Sequence, residues 1–339
     1  MRLFFILLFT TFLFANQQGE LLEDSTETIP VEKEFISDNI IDSDDFNLNI
    51  AIILDKNKFF HFIPNLLKSM NAYLLNKGIN YHIKVFDKEA NLDEITQKYR
   101  YIFLFLTNSD EIKTILNYQD NYFFIPTLNI NQFGNSDLPD NLFFGGIDYR
   151  EQVEKLNQFI SGYTIIIYNE SDLLKYITTI QEVELIQPHK ILKYPIRNFE
   201  QFNDTFVYLN TSIVNTAQIL SDFTYHKTKI DAVLSTQINF SPLLFSLTNY
   251  DDTKNLIIAN SILNINPIIE DNNKNLDTDI DFNWLNYTSS VLLNVAYNLE
   301  IGENKHFIND FNLYLYFNQV DYSTNLYKIY KKGFIKIEE

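Results

Sequence analysis

Apolar residues along this chain come in two alternating rhythms. A short run at 48–54 (LNIAIIL, in the stretch that opens at Asn47, ended by Asp55) has the length and β-rich character of a strand buried on both faces. Behind it, Phe59, Ile63, Leu66, Met70 and Leu74 recur at helical spacing, with Pro64 near the start and Gly78 at the end. A second β-rich run fills 79–86. Strand, helix and strand in this order predict the opening unit of a parallel sheet covered by helices.

The alternation continues. Strands are expected at 101–106, 122–125, 142–144, 163–168, 205–209, 230–234 and 256–259. Helices are expected at 92–99, from Ser109 or Asp110 to near Asn117, and at 149–159 ended by Gly162. Further helices follow Ser171 to about Thr179, and fill 213–223, 241–247 and 287–299. The stretch 184–193 reads as weakly β-prone, interrupted by Pro188, and the Asn-rich acidic stretch 271–281 as a loop. Three short strands at 313–317, 326–330 and 334–337 close the chain. The fold class is therefore α/β: two Rossmann-like lobes with parallel sheets.

The two ends of the pattern differ from the middle. Residues 1–15 (MRLFFILLFTTFLFA) have a basic Arg2, an apolar core and a small Ala15, as a cleaved export signal does. Residues 16–46 carry ten carboxylates against Lys33 and read as a flexible acidic tether. The expected divisions are then signal 1–15, tether 16–46, lobe one 47–161, lobe two 162–310, and closing strands 311–339, placed at the lobe interface. Export through the inner membrane of a Gram-negative cell would leave the chain in the periplasm, with no stable membrane span after cleavage.

Composition narrows the chemistry. A net charge of -18 opposes binding to a nucleic-acid backbone or adsorption to anionic lipid. Cys is absent, which excludes disulfides, a thiolate nucleophile and Cys-ligated zinc. His61, His82, His189, His226 and His306 form no ligand pair. The oxygen-rich 271–277 stretch has Leu276 where a calcium loop needs Gly. There is no nucleophile elbow, Walker A loop or dinucleotide fingerprint. No metal, cofactor or catalytic residue is expected, and the chain reads as a non-enzyme.

In an open α/β sheet, ligands gather at the carboxyl ends of the strands. The residues there are Asp55, Asn108, Ser109, Thr127, Asn129, Asn169, Asn210, Ser235, Thr236 and Gln237. Their amides and hydroxyls suit a small polar ligand; the same residue types also cap helices and brace turns. Lys56 and Lys58 read as solvated, and Tyr73 and Tyr81 as sheet-packing residues with exposed hydroxyls.

The layout from Asn47 onward resembles the type I periplasmic-binding-protein fold. That family includes branched-chain amino-acid receptors and the carboxyl-terminal domain of an outer-membrane lipoprotein that activates a peptidoglycan synthase. The resemblance rests on the 48–86 unit, on 101–108, on 163–169 as the strand opening lobe two, and on 206–210 and 231–236 as later strands with cleft-facing exits. It also covers the closing segment 311–337, whose turn at 317–323 has no Gly. It implies a non-catalytic protein that encloses a small polar ligand between two lobes for an inner-membrane transporter or a sensor. The first strand, however, exits into bulky Lys56, Lys58, Phe59 and Phe60. That departure keeps a second reading open: a relative without a solute, acting on an envelope protein in cell-wall synthesis or motor assembly.

Overall fold

The computed structural model describes the backbone of residues 37–39 and residues 47–133, 138–263, 265–331 and 333–338. The expected signal at 1–15 and most of the 16–46 tether lie outside these residues. The described residues form two compact units, those up to Ile147 with Ile262–Tyr322, and Asp148–Ser261 with those from Ser323 onward.

In the first unit, β1 (Ser37–Asn39) pairs antiparallel with β3 (Asn80–Asp87), so part of the stretch read as tether is an edge strand. Next to β3, β2 (Asn47–Leu54) is joined to it by helix α1 (Ile63–Lys77). Gly78, at φ 61, ends α1 in the left-handed conformation, and its amide donates to the Leu75 carbonyl. Helix α2 (Leu92–Lys98) precedes β4 (Tyr101–Phe105), and β5 (Tyr122–Ile125) and β6 (Leu142–Phe144) extend the parallel sheet. The register places Phe103, Phe124 and Phe143 side by side, and their rings stack at centroid distances of 4.9 and 5.3 Å. The opposite sheet face buries Ala51, Ile53, Leu104, Phe123 and Phe144. The expected helix after Asn108 is a 3-10 segment, Ser109–Thr114.

The second unit starts with α3 (Tyr149–Asn157), capped by Asp148, so the unit boundary precedes this helix rather than following it. Then come β7 (Thr164–Tyr168), α4 (Asp172–Glu184), β8 (His189–Lys193), β9 (Thr205–Asn210), α5 (Ile213–Tyr225), β10 (Ile230–Ser235) and β11 (Leu256–Asn260). Helix α4 runs past Thr179 because Ile180 and Gln181 continue its buried stripe; only 189–193 of the 184–193 stretch is a strand.

The chain then returns to the first unit. Helix α6 (Pro267–Asn275) occupies part of the stretch read as an acidic loop. Asn266 caps it, Pro267 fits its first turn, Lys274 pairs with Glu270, and Ile269 is buried. Helix α7 (Trp284–Ile301) packs beside α1 and is buried on nearly all sides, with Asn286, Thr288, Ser289, Ser290, Asn294 and Asn298 among its buried residues. The strands β12 (Phe307–Ile308), β13 (Leu313–Tyr316) and β14 (Gln319–Asp321) finish the sheet, whose order is β1-β3-β2-β4-β5-β6-β14-β13-β12. The last two strands, β15 (Asn325–Tyr330) and β16 (Gly333–Lys336), belong to the other sheet, β16-β15-β11-β10-β9-β7-β8. The closing segment is thus divided between the units, and 262–322 belongs with the first.

Tyr73 departs from its expected exposed hydroxyl. It is fully buried, donates to Asp310 Oδ2 at 2.8 Å, and accepts from Asn294 Nδ2 at 2.7 Å. Lys77 Nζ reaches the same Asp310 oxygen at 2.6 Å. This group ties the return segment to α1 and α7. Just beyond β6, Gly146 lies so close to the Leu128 backbone that an added Cβ would stand 2.1 Å from its carbonyl carbon.

Candidate functional site

The polar residues at the carboxyl ends of β10 and β11 converge on α3 within the second unit. Burial on α3 falls on Tyr149, Gln152, Val153 and Leu156, the i, i+3, i+4, i+7 stripe. Gln152 is therefore a polar side chain at a core position, and its amide is completely buried. Its Nε2 donates to Gln237 Oε1 at 2.8 Å and to Ser261 Oγ at 2.9 Å, while its Oε1 accepts from the Gln237 amide at 3.1 Å. Ser261 N donates to Gln237 Oε1 at 3.2 Å, and the Ser261 and Thr324 hydroxyls lie 3.0 Å apart. On the next strand exit, Ser235 Oγ donates to the Leu209 carbonyl at 3.0 Å and accepts from Asn239 Nδ2 at 2.8 Å.

Two polar atoms of this group, Thr236 Oγ1 and Asn239 Oδ1, have no hydrogen-bond partner in the protein, and Tyr149 Oη and Gln237 Nε2 have none beyond each other. Tyr149 is 6 % exposed, Thr236 0 %, Gln237 7 % and Asn239 0 %. Burial pushes the Tyr149 hydroxyl far above its ordinary range, so it stays protonated, and the Gln237 amide is its polar neighbour. Leaving a buried polar group unpaired costs roughly 1–3 kcal/mol, and folded proteins keep few of them. The four atoms belong to the start of α3 and to the segment that follows β10. Hydroxyls donate and accept, Nε2 donates, and Oδ1 accepts.

No member of this set carries a formal charge. On helix α3, Glu151 and Lys155 lie 3.8 Å apart. Glu151 Oε1 accepts from the Thr324 amide at 3.3 Å, and Lys155 Nζ donates to the Thr324 carbonyl at 2.6 Å. Burial raises the Glu151 carboxyl above its ordinary range, against the pull of Thr324 and Lys155.

The other strand-exit residues serve the local backbone. Asp55 caps the helical turn Lys56–Phe59 through Asn57 N at 3.0 Å and Lys58 N at 3.3 Å. It also pairs with Lys88 at 2.7 Å, and that hydrogen bond holds its carboxyl below the usual range. Phe59 of this turn packs edge-on against Phe105 at 5.8 Å. Asn108 caps Ser109–Thr114, with Glu111 reaching back to the Thr107 and Asn108 amides; Ser109 is the first residue of that turn. Thr127 donates to the Leu106 carbonyl at 2.7 Å, and Asn129 to the Gly146 carbonyl at 3.1 Å. Asn169 accepts from Ser212 N and Asn215 Nδ2, both at 3.4 Å. Asn210 donates to Gln181 Oε1 at 2.6 Å and Thr178 Oγ1 at 2.9 Å.

The structure thus brings together Ser235, Thr236 and Gln237 of the expected set. It adds Tyr149, Gln152, Asn239, Ser261 and Thr324, which the sequence did not single out. Gln152 left the only local signal, as an amide on an otherwise apolar helical stripe.

No protein-family model matches the sequence, and no curated protein matches it. Solved structures do. A branched chain amino acid ABC transporter periplasmic ligand-binding protein from Burkholderia xenovorans aligns over 86% of this chain and 94% of its own, with 9% identity and a TM-score of 0.60. The substrate binding protein LivJ from Streptococcus pneumoniae, in complex with isoleucine, aligns over 86% of this chain and 100% of its own, with 9% identity and a TM-score of 0.55. The C-domain of LpoA from Haemophilus influenzae, a regulator of PBP1A, aligns over 86% and 100%, with 11% identity and a TM-score of 0.54. At such identities the likeness concerns architecture, and the chain has a type I periplasmic-binding-protein-like fold.

Proposed function

We propose that this protein is a non-catalytic binding protein that holds a small polar solute at the Tyr149–Thr236–Gln237–Asn239 group of its second unit. The observation that carries this reading is a group of buried polar atoms short of hydrogen-bond partners: Thr236 Oγ1 and Asn239 Oδ1 beyond the carboxyl end of β10, and the Tyr149 hydroxyl at the start of α3 facing the Gln237 amide. A bound solute that supplies their hydrogen bonds removes the cost of leaving them unmade, and that difference is the source of its affinity. The structural neighbours are binding or regulatory proteins rather than enzymes. No described helix is long and apolar enough to cross a membrane. Both facts fit an exported, solute-binding role, with delivery to an inner-membrane transporter or sensor.

A second reading is favoured by the first unit. Its leading strand exit is closed by the Lys56–Phe59 turn, the Asp55–Lys88 pair and the Phe59–Phe105 contact. An interaction module that engages an envelope protein needs no solute there. Native mass spectrometry of the chain purified from its own extract separates the two. Binding predicts a stoichiometric small molecule that leaves on mild activation; a bare chain with a stoichiometric protein partner supports the second reading.

A further inference from the structure

The outer face of β12–β14 in the first unit carries aromatic rings that the core does not use. Along β13, Leu313 and Leu315 are buried, while Tyr314 and Tyr316 alternate onto the other face and are 51 % and 59 % exposed. Phe307 lies directly across from Tyr314 on β12, the last strand of the sheet, and Asp321 lies directly across from it on β14. Directly opposed residues share a face, so Phe307, Tyr314, Tyr316 and Asp321 stand on one surface. The Phe307 and Tyr314 ring centroids are 5.1 Å apart, and those of Tyr314 and Tyr316 6.5 Å. The row ends on Phe317, which is 92 % exposed. Phe317 and Asn318 make the two-residue turn between β13 and β14, both left-handed, at φ 47 and 63. Such a turn favours Asn or Gly, and a bulky side chain there is disfavoured. Phe317 recovers nothing through burial, so stability of the fold does not account for it.

From this row we propose that the outer face of β12–β14 docks a basic segment of a partner protein, its Arg or Lys side chains lying over Tyr314 and Tyr316 beside the Asp321 carboxylate. This deepens the interaction reading and does not depend on a solute in the second unit. Ring faces are electron-rich and attract cations. The surface supplies no competing positive charge: residues 306–327 contain no Lys or Arg, and Lys305 lies over the Phe143 ring at 5.4 Å. Asp321 is exposed and makes no ion pair among the described residues. A net charge of -18 draws a basic segment and repels an acidic one. A wholly apolar partner would cover the Tyr hydroxyls and the Asp321 carboxylate without meeting them.

The test is fluorescence anisotropy of labelled deca-arginine with the full chain at physiological ionic strength. Tyr314→Ser combined with Tyr316→Ser should weaken binding about tenfold, as loss of two cation–ring contacts does. Phe317→Asn should weaken it about threefold and leave the melting temperature unchanged or higher, since Asn suits the turn. If the Tyr pair does not fold, Phe317→Asn decides alone. Tyr225→Ser, at an exposed ring of the second unit, should bind as the wild type does. None of these substitutions alters net charge, so equal binding by all of them would reveal general attraction to an acidic chain and overturn the proposal. Chitohexaose binding lost in the Tyr pair would assign the face to a glycan, and a wild-type dimer abolished by the Tyr pair would assign it to a second copy; either overturns it. A protein partner seen in native mass spectrometry and kept by the Tyr pair would overturn it and leave the interaction reading standing. A Phe317→Asn variant that melts well below the wild type would return that ring to the fold and overturn it as well.

Discussion

Gln152 and Gln237, 85 positions apart in sequence, join their side-chain amides at 2.8 Å inside the second unit, and the Gln237 backbone amide closes the pair from the other side at 3.1 Å. Helix α3 and the turn after β10 are thereby fixed to each other, and Ser261 at the end of β11 joins them. The unpaired atoms of Thr236 and Asn239 are presented from this braced frame.

Replacing Gln152 with Leu removes three hydrogen bonds, strands the Gln237 backbone amide and leaves the Gln237 side-chain oxygen with Ser261 N alone. The expected loss is about 2–4 kcal/mol, read as a lower urea midpoint at unchanged slope.

Asn108→Ala should behave differently from a site substitution. It deletes the cap of Ser109–Thr114 and its reciprocal bond with Glu111, which costs about 1 kcal/mol. Solute retention in native mass spectrometry should not change, since Asn108 belongs to the first unit and to its own turn.

Gly146→Ala should prevent folding. The new Cβ would meet Leu128 carbonyl atoms at 2.1 and 2.4 Å and Asn129 N at 2.5 Å, all backbone, and the Leu128 carbonyl oxygen itself accepts from the Gly146 amide. Overlap of that depth in a close-packed interior has no small adjustment. Expression trials with circular dichroism check this: a soluble variant with a wild-type melting curve would contradict the packing described.

Asp281 gives the pH prediction. Burial first, then the charges of Glu270 and Asp279, pushes its carboxyl up to about 6. A carboxyl with a higher pKa folded than unfolded binds its proton more tightly in the folded state. Its contribution to stability is therefore complete below about pH 4 and is lost as pH rises through 6. Asp281→Asn should flatten the pH dependence of unfolding between 4 and 7. It should also stabilise the chain at pH 7 by on the order of 1 kcal/mol, allowing for partial solvation.

The strand–helix alternation was legible because strands such as 101–105 are apolar on both faces, and helices such as 63–77 carry stripes ended by glycine. Long-range assignments were not. Nothing local in 262–322 states that α7 returns to the first unit, because a helix buried on nearly all sides records no direction. Helix α6 hid in an Asn-rich acidic stretch whose helical character depends on the Asn266 cap, Pro267 and tertiary burial of Ile269. At the strand exits, Asn and Ser were equally suited to capping and to ligand contact. Only three-dimensional partners separate Asn108, which caps, from Thr236, which has no partner. Gln152 could be noticed on its stripe, but its meeting with Gln237 depends on the packing of α3 against β10 and β11.

The most direct test of the binding claim is to measure stability and solute retention together in Tyr149→Phe and Thr236→Val. The Thr236 hydroxyl has no protein partner and the Tyr149 hydroxyl meets only the Gln237 amide, so removing either from the solute-free chain should change the melting temperature little. Native mass spectrometry of the same preparations should show the co-purifying small molecule lost from both variants and kept by the wild type. Variants that retain it at full stoichiometry would contradict the account.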